Sequence, residues 1–226
     1  MSRSNKPKGE GDISELVAPS QTAVLVIDVQ NDFVADNGRV GRDGVDMQPL
    51  QQAVHGINRL ITAARRSDVP VFYIVVEHGA AVDELPYQAR YERRGMTPDD
   101  TICHTGTWGA ELFDGLLPPE KGEPRLVKHG YDAFQNPELE SALRRSGIKT
   151  VIVTGVVTEL CVRATVASAF ERGFFAIVPR EGTGSTEPAP AHAAIESIER
   201  WYGQVVSLDE VTRVWSGVQS GSGAKS

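Results

Sequence analysis

Three side chains with complementary chemistry, Asp28, Lys128 and Cys161, stand at or just beyond the ends of predicted strands. A cysteine attacks a carbonyl carbon only as the thiolate; a carboxylate can take the thiol proton, and an ammonium group stabilises the resulting anion. If the fold brings the three together, they form a nucleophilic centre suited to acyl chemistry. Taken alone, each has a simpler explanation. Asp28 could cap a helix, Lys128 could be a surface charge, and Cys161 could be a small buried hydrophobic residue. The elements that position them decide between these interpretations.

The chain alternates short β-branched runs with amphipathic helical patterns, which is typical of a mainly parallel sheet covered by helices on both faces. Six strands are predicted, at 23–28, 70–76, 125–128, 149–154, 174–178 and 204–207. Helices are predicted at 49–67, 136–147, 159–173, 190–201 and from 208 onward. The expected architecture is a three-layer α/β/α fold with a mainly parallel six-stranded sheet.

Ligands of open parallel sheets bind beyond the carboxyl ends of the strands. Asp28 ends the first predicted strand, Lys128 ends the third, and Cys161 lies early in the helix that follows the fourth. The sequence therefore predicts that the three side chains meet at one sheet edge. Residues 77–123 have little regular pattern and are too long for a plain connector, so we expect them to cover this edge and to select the substrate.

Length and charge restrict the class of protein. With 226 residues, the chain is predicted to hold one domain, at 21–215, between flexible segments at 1–20 and 216–226. A formal net charge of −7 argues against a nucleic-acid partner. No apolar run approaches the roughly 20 residues that a membrane helix needs, and the start of the chain lacks a signal-peptide pattern, so we expect no membrane partner and a cytoplasmic location.

The residues around the three side chains read DVQNDF at 28–33, KHGYDAF at 128–134 and GVVTELCV at 155–162. These segments resemble, in order and in spacing, the motifs of the isochorismatase-like cysteine hydrolases, and the resemblance covers residues 22–211. It implies the isochorismatase-like fold, which is Rossmann-like. It also implies that Cys161 is the nucleophile, Asp28 the general base that later serves as acid, and Lys128 the cation that stabilises and orients them.

The resemblance implies further site residues. Phe33 and Phe134 are similar to the aromatic walls of the family's substrate pocket, although each suits a plain core position equally well. Val156, Val157 and Thr158 are similar to the segment that carries a cis peptide without proline, near Val156–Val157, and that directs the backbone to a substrate oxygen.

The amidohydrolase branch of the family suits these residues, because a retained cysteine favours acyl chemistry at C–N bonds. The resemblance thus implies hydrolysis of a small amide, ureido or carbamoyl compound through a thioester, with release of ammonia and without a cofactor. It also implies a homodimer or homotetramer, in which a neighbouring subunit could complete the pocket.

The metal pattern of the nicotinamidase branch, Asp-x-His after the second strand, is not matched, because the chain reads Glu77-His78 there without a second suitably spaced histidine. Cys103-His104 is too weak a pair for zinc, so no metal site is predicted. Arg180 and His192 are expected on the surface.

Three alternatives remain open. Asp28 alone could drive vinyl-ether hydrolysis of the isochorismatase type, with Cys161 as a spectator. The fold could instead serve as a non-catalytic binding module. A thiol redox protein is the third, but Cys103 and Cys161 are not in a C-x-x-C arrangement.

Overall fold

A parallel sheet of seven strands forms the centre of the molecule in the computed structural model, which describes residues 12–97 and 100–217. The strands are β1 (Thr22–Ile27), β2 (Val71–Val76), β3 (Arg125–Lys128), β4 (Thr150–Val156), β5 (Phe175–Pro179), β6 (Thr183–Gly184) and β7 (Gln204–Val206). Their order is β3-β2-β1-β4-β5-β7, with β6 paired to β4, and the pairs are all parallel. Every residue of β1, β2 and β4 is buried, which explains why these strands are rich in β-branched residues.

Helices cover both faces of the sheet, so the predicted α/β/α layering is confirmed. They are α1 (Ile13–Leu16), α2 (Asn31–Val34), α3 (Gln48–Arg66), α4 (Leu85–Arg93), α5 (Pro137–Arg145), α6 (Arg163–Glu171), α7 (Pro188–Trp201) and α8 (Leu208–Trp215). One core contains apolar residues of α3 and α8, and the other contains those of α5, α6 and α7. None of the described helices is long and apolar enough to cross a membrane.

The sheet has one strand more than the six predicted. β6 is only two residues long, Thr183–Gly184, and contains no apolar run. It pairs with Gly155 and Val156 because the chain lies against the end of β4, and no local pattern encodes that position. The helix α4 was also not predicted, since it lies in the stretch 77–123 that shows little periodicity.

The start of the described chain packs on the domain. Leu16 and Val17 are buried, and the indole Nε1 of Trp215 donates to the carbonyl of Val17 at 2.7 Å. The prediction that segment 1–20 is flexible is therefore wrong for Leu16 and Val17, which pack on the domain and are held there by Trp215. The remainder of that segment, 1–11, lies outside the described residues, as does most of the predicted C-terminal tail, 218–226.

Candidate active site

Asp28, Lys128 and Cys161 meet at the carboxyl edge of the sheet. Asp28 follows β1 directly, Lys128 ends β3, and Cys161 lies in a π-helical turn, Thr158–Val162, between β4 and α6. The Nζ of Lys128 donates to the Oδ2 of Asp28 at 2.8 Å and lies 3.6 Å from the Sγ of Cys161. The structure thus brings the three together at the edge predicted from the strand ends.

Lys128 is held deep in the protein by polar contacts. Its Nζ also donates to the carbonyl oxygen of Gly130 at 2.7 Å. Burial lowers the pKa of Lys128, but the Asp28 carboxylate and the contacts with Asp28 and Cys161 outweigh burial and leave the pKa raised. The side chain therefore stays an ammonium ion, which can stabilise negative charge on either neighbour.

Asp28 is completely buried, and its backbone is in the left-handed region, with φ 54°. Burial raises the pKa of Asp28, while the ammonium of Lys128 opposes this rise. Among the described residues the Oδ1 atom has no hydrogen-bond partner. The carboxylate is consequently more basic than an exposed aspartate, and one oxygen is available to receive a proton.

Cys161 is buried, with 5% of the residue exposed. Burial raises the pKa of Cys161 well above its ordinary value, Asp28 raises it further, and Lys128 acts in the opposite direction. The resting side chain is therefore a thiol at neutral pH. Attack on a carbonyl requires proton transfer to a neighbouring base, and Asp28 is the carboxylate in position.

A glycine allows β1 and β4 to approach each other just below this site. Gly155 has φ 123°, and a Cβ at this position would lie 2.0 Å from the carbonyl oxygen of Ile27. The next peptide bond but one, Val156–Val157, is cis, as the family resemblance implied. Val156 and Thr158 are buried, and Val157 is half-buried.

The two phenylalanines predicted as pocket walls have different surroundings. Phe33 is half-buried and packs against a small cluster that contains Val76 and Cys103. Phe134 is buried in the core, where its ring stacks on Phe174 with centroids 5.8 Å apart. Contact of either ring with a substrate stays a prediction.

A row of rings that was not predicted from the sequence lies near the three side chains, and we call it the aromatic wall: His78, Tyr87 and Tyr131. The rings of His78 and Tyr87 are 5.7 Å apart, and those of Tyr87 and Tyr131 are 5.6 Å apart. The guanidinium of Arg90 lies over the tyrosine rings, and its Nη1 donates to the Oη of Tyr131 at 2.7 Å. Only His78 gave a signal in the sequence, because it closely follows a predicted strand.

Two clefts differ in their relation to this site. One, of about 460 Å³, is lined by Tyr87, Gly130 and Tyr131 among others and borders the site, because Gly130 also contacts Lys128. A larger groove of about 1200 Å³ lies between α3 and α8 and contains none of the three side chains. Asp28, Lys128 and Cys161 lie at the sheet edge and not in the larger groove, which makes the edge the candidate site.

The other residues singled out from the sequence lie elsewhere or are exposed. Arg180 and His192 are on the surface as expected, and His192 lies 3.4 Å from Glu196 on the next turn of α7. Within the described part of the chain, no three His, Cys, Asp or Glu side chains are grouped so that they could hold a metal ion. Trp108 is 46% exposed.

The model of the isochorismatase domain matches residues 22–210 of the chain. The chain belongs to the isochorismatase family. Its relatives include the ureidoacrylate amidohydrolase RutB of Methylobacterium radiotolerans, 31% identical over 198 residues, which are 83% of this chain and 76% of that protein. The RutB of Pseudomonas syringae pv. syringae is 28% identical over 211 residues, 88% of this chain and 86% of that one.

Solved structures show the same isochorismatase fold. A cysteine hydrolase from Pseudomonas syringae pv. phaseolicola superposes with a TM-score of 0.79 at 24% identity, over 90% of this chain and 96% of that one. The N-carbamoylsarcosine amidase of Thermoplasma acidophilum has a TM-score of 0.67 at 27% identity, over 84% and 97% of the two chains. The chain is a hydrolase of the isochorismatase family.

Proposed function

We propose that this protein is a cysteine hydrolase that cleaves the C–N bond of a small amide, ureido or carbamoyl compound and releases ammonia. One observation carries the proposal: a buried ammonium, Lys128, contacts both a carboxylate, Asp28, and a thiol, Cys161. This is the set of groups that nucleophilic catalysis at a carbonyl needs. The names of the relatives, ureidoacrylate amidohydrolase and N-carbamoylsarcosine amidase, support the same bond type.

In the first half-reaction, Asp28 takes the proton of the Cys161 thiol. The thiolate attacks the substrate carbonyl, and the negative charge moves to the carbonyl oxygen, where the backbone N–H groups of Val157 and Cys161 stabilise it. Asp28 then gives its proton to the departing nitrogen, the C–N bond breaks, and ammonia leaves. The acyl group remains on sulfur as a thioester.

The second half-reaction restores the enzyme. Asp28, again a carboxylate, takes a proton from water, and the resulting hydroxide attacks the thioester carbonyl. The C–S bond breaks, the acid product leaves, and the proton held by Asp28 returns to the thiolate. Lys128 stays charged through both halves and stabilises whichever neighbour is anionic.

Ammonia release from a panel of ureido, carbamoyl and primary amide compounds tests this function. We expect Cys161→Ala and Asp28→Asn each to lower kcat by at least about 10³-fold, because nucleophile and base act as one unit. Cys103→Ala, the matched control at the other cysteine, keeps wild-type turnover. Rapid quenching followed by intact-mass measurement detects the acyl-enzyme on Cys161.

The same experiment separates the proposal from its alternatives. Cys161→Ala with wild-type turnover would contradict the cysteine mechanism and favour chemistry driven by Asp28 alone. Binding of panel compounds without turnover by the wild type would favour a non-catalytic module.

We also propose that the protein forms a homodimer or homotetramer and that it works in the cytoplasm. Two large apolar side chains are exposed: Leu160 (42%), which adjoins Cys161 in the chain, and Leu85 (77%), at the start of α4. A second copy of the chain would bury them. Light scattering coupled to size-exclusion chromatography measures the assembly, and a monomer at micromolar concentration contradicts it.

A further inference from the structure

The end of β2 lies between the two charged residues of the site. The strand order β3-β2-β1 places β2 between the strand that ends in Lys128 and the one followed by Asp28. Val76 pairs with Lys128, and the N–H of Glu77 donates to the carbonyl of Lys128 at 3.0 Å. The next residue, His78, therefore follows the strand that lies between Lys128 and Asp28.

His78 is 4% exposed, and its ring is fixed by a buried carboxylate. The Nδ1 of His78 lies 2.6 Å from the Oδ1 of Asp83, and the Oδ2 of Asp83 accepts the N–H of Gly79 at 3.0 Å. An ionised carboxylate only accepts hydrogen bonds, so Nδ1 carries the proton. The Nε2 atom makes no hydrogen bond within the described part of the chain, and in the neutral ring it presents a lone pair.

The aromatic wall connects His78 to the reacting groups. The Tyr87 ring contacts the His78 ring on one side, and its Oη lies 3.0 Å from the point that a Cβ on Gly130 would occupy. The carbonyl of Gly130 in turn accepts from Lys128. Tyr87 and Gly130 line the same cleft, so the aromatic wall leads from the His78 ring to the carbonyl that holds Lys128.

We propose that His78 is a substrate-contacting residue whose Nε2 accepts an N–H of the carbamoyl, ureido or primary amide group while Cys161 attacks the carbonyl carbon. Asp83 is the positioning residue that fixes the ring. The inference rests on the proposed function and assigns the group that recognises the N–H of its substrates. Compounds that offer an N–H next to the reacting carbonyl are preferred over esters and over fully N-alkylated amides, which leave the Nε2 acceptor without a partner.

Two substrates and two variants at His78 test the inference. The substrates are the best ureido compound from the panel and a p-nitrophenyl ester, which has no N–H. We expect His78→Leu to lower kcat/KM for the ureido compound by about 10- to 100-fold and to change the ester rate by less than about threefold. His78→Gln, whose side-chain oxygen can replace Nε2 as acceptor, keeps most of the ureido activity.

Further variants separate contact with the substrate from a purely structural role. Asp83→Asn produces a smaller loss of the same selective kind, because the ring is held less firmly. His104→Leu is the matched control, a neighbouring histidine outside the proposed contact, and leaves the ratio of the two rates unchanged. Thermal unfolding and the rate at which methyl methanethiosulfonate modifies Cys161 confirm that each variant is folded with an intact nucleophile.

The outcomes are distinct. Equal losses on the ureido compound and on the ester mean a structural role and overturn the inference, as does an unchanged ureido rate in His78→Leu. If the wild type hydrolyses the ureido compound, either of these two results overturns the inference about His78 but does not contradict the proposed function. If the wild type hydrolyses no compound with an N–H, the proposed function and the inference fall together.

Discussion

Lys128 and Asp28 form a salt bridge of 2.8 Å in which both side chains are fully shielded from solvent. The bridge passes over the end of β2, which separates the strands from which the two residues extend. Removing water from two charges is costly, and their attraction offsets this cost only while both partners are present. The pair therefore links the stability of the sheet edge to the chemistry of Cys161.

Replacement of Lys128 by methionine leaves the Asp28 carboxylate buried without its cation. We expect Lys128→Met to lower the free energy of unfolding by about 3–5 kcal/mol and to abolish turnover. Urea denaturation followed by circular dichroism measures the first effect, and ammonia release measures the second. Lys149→Met, at an exposed lysine, serves as control; a loss below about 1 kcal/mol in Lys128→Met would show that the bridge contributes little.

The pH dependence of kcat/KM reports on Asp28. Burial raises the pKa of Asp28, and the base must be ionised to accept the thiol proton, so activity falls as the pH drops through this raised pKa. We expect the acid limb to lie above the ordinary aspartate value of about 3.9. Because His78 also titrates, the limb is measured again in His78→Gln, where it persists. An acid limb at or below the ordinary value would contradict the assignment.

Alkylation of Cys161 in the resting enzyme shows the state of the thiol. Since its pKa is raised, we expect the rate to keep increasing with pH beyond the ordinary thiol value of about 8.5. Asp28→Asn removes a charge that disfavours the thiolate, so this variant is alkylated faster at pH 9 although its turnover is lost. Peptide mass mapping in a Cys103→Ser background gives the rates. A plateau below pH 8.5 would instead indicate a preformed thiolate.

Gly155→Ala places a methyl group against the backbone of β1. The left-handed backbone and the 2.0 Å approach to the Ile27 oxygen lead us to expect a loss of about 2–4 kcal/mol in unfolding free energy, with impaired catalysis. Gly147→Ala is the matched control, because Gly147 also has a positive φ, 67°, but open space around it. Its expected cost is about 1 kcal/mol. Similar costs in the two variants would show that the close approach is relieved by relaxation.

Replacing Phe33 and Phe134 by alanine tests which of the two rings contacts the substrate and which only stabilises the core. Phe134→Ala removes a buried ring stacked on Phe174, and we expect a loss of about 3–5 kcal/mol in unfolding free energy. Phe33→Ala, at a half-buried ring, is expected to raise KM with a smaller loss of stability. Thermal unfolding and steady-state kinetics on the same preparations measure both. A stable Phe134→Ala with a raised KM would reverse the assignment.

The sequence was sufficient for those parts of the fold that depend on local patterns. The buried strands β1, β2 and β4 are rich in β-branched residues, and their predicted boundaries lie within two residues of the observed ones. The strand ends in turn indicated that Asp28, Lys128 and Cys161 share one edge. β6, α4 and the packing of Val17 under Trp215 have no such pattern, because contacts with distant residues stabilise them.

By itself, then, the sequence predicted the parallel α/β architecture, since hydrophobic periodicity is a local property. It indicated Asp28, Lys128 and Cys161 through their positions near strand ends and through the motifs around them. Only the tertiary structure decided the 2.8 Å contact of Lys128 with Asp28, the pairing of His78 with Asp83 and the raised pKa of Cys161. These depend on which groups, distant in the chain, become neighbours when water is excluded, because burial and nearby charge set both the strength of a polar contact and the pKa of each group.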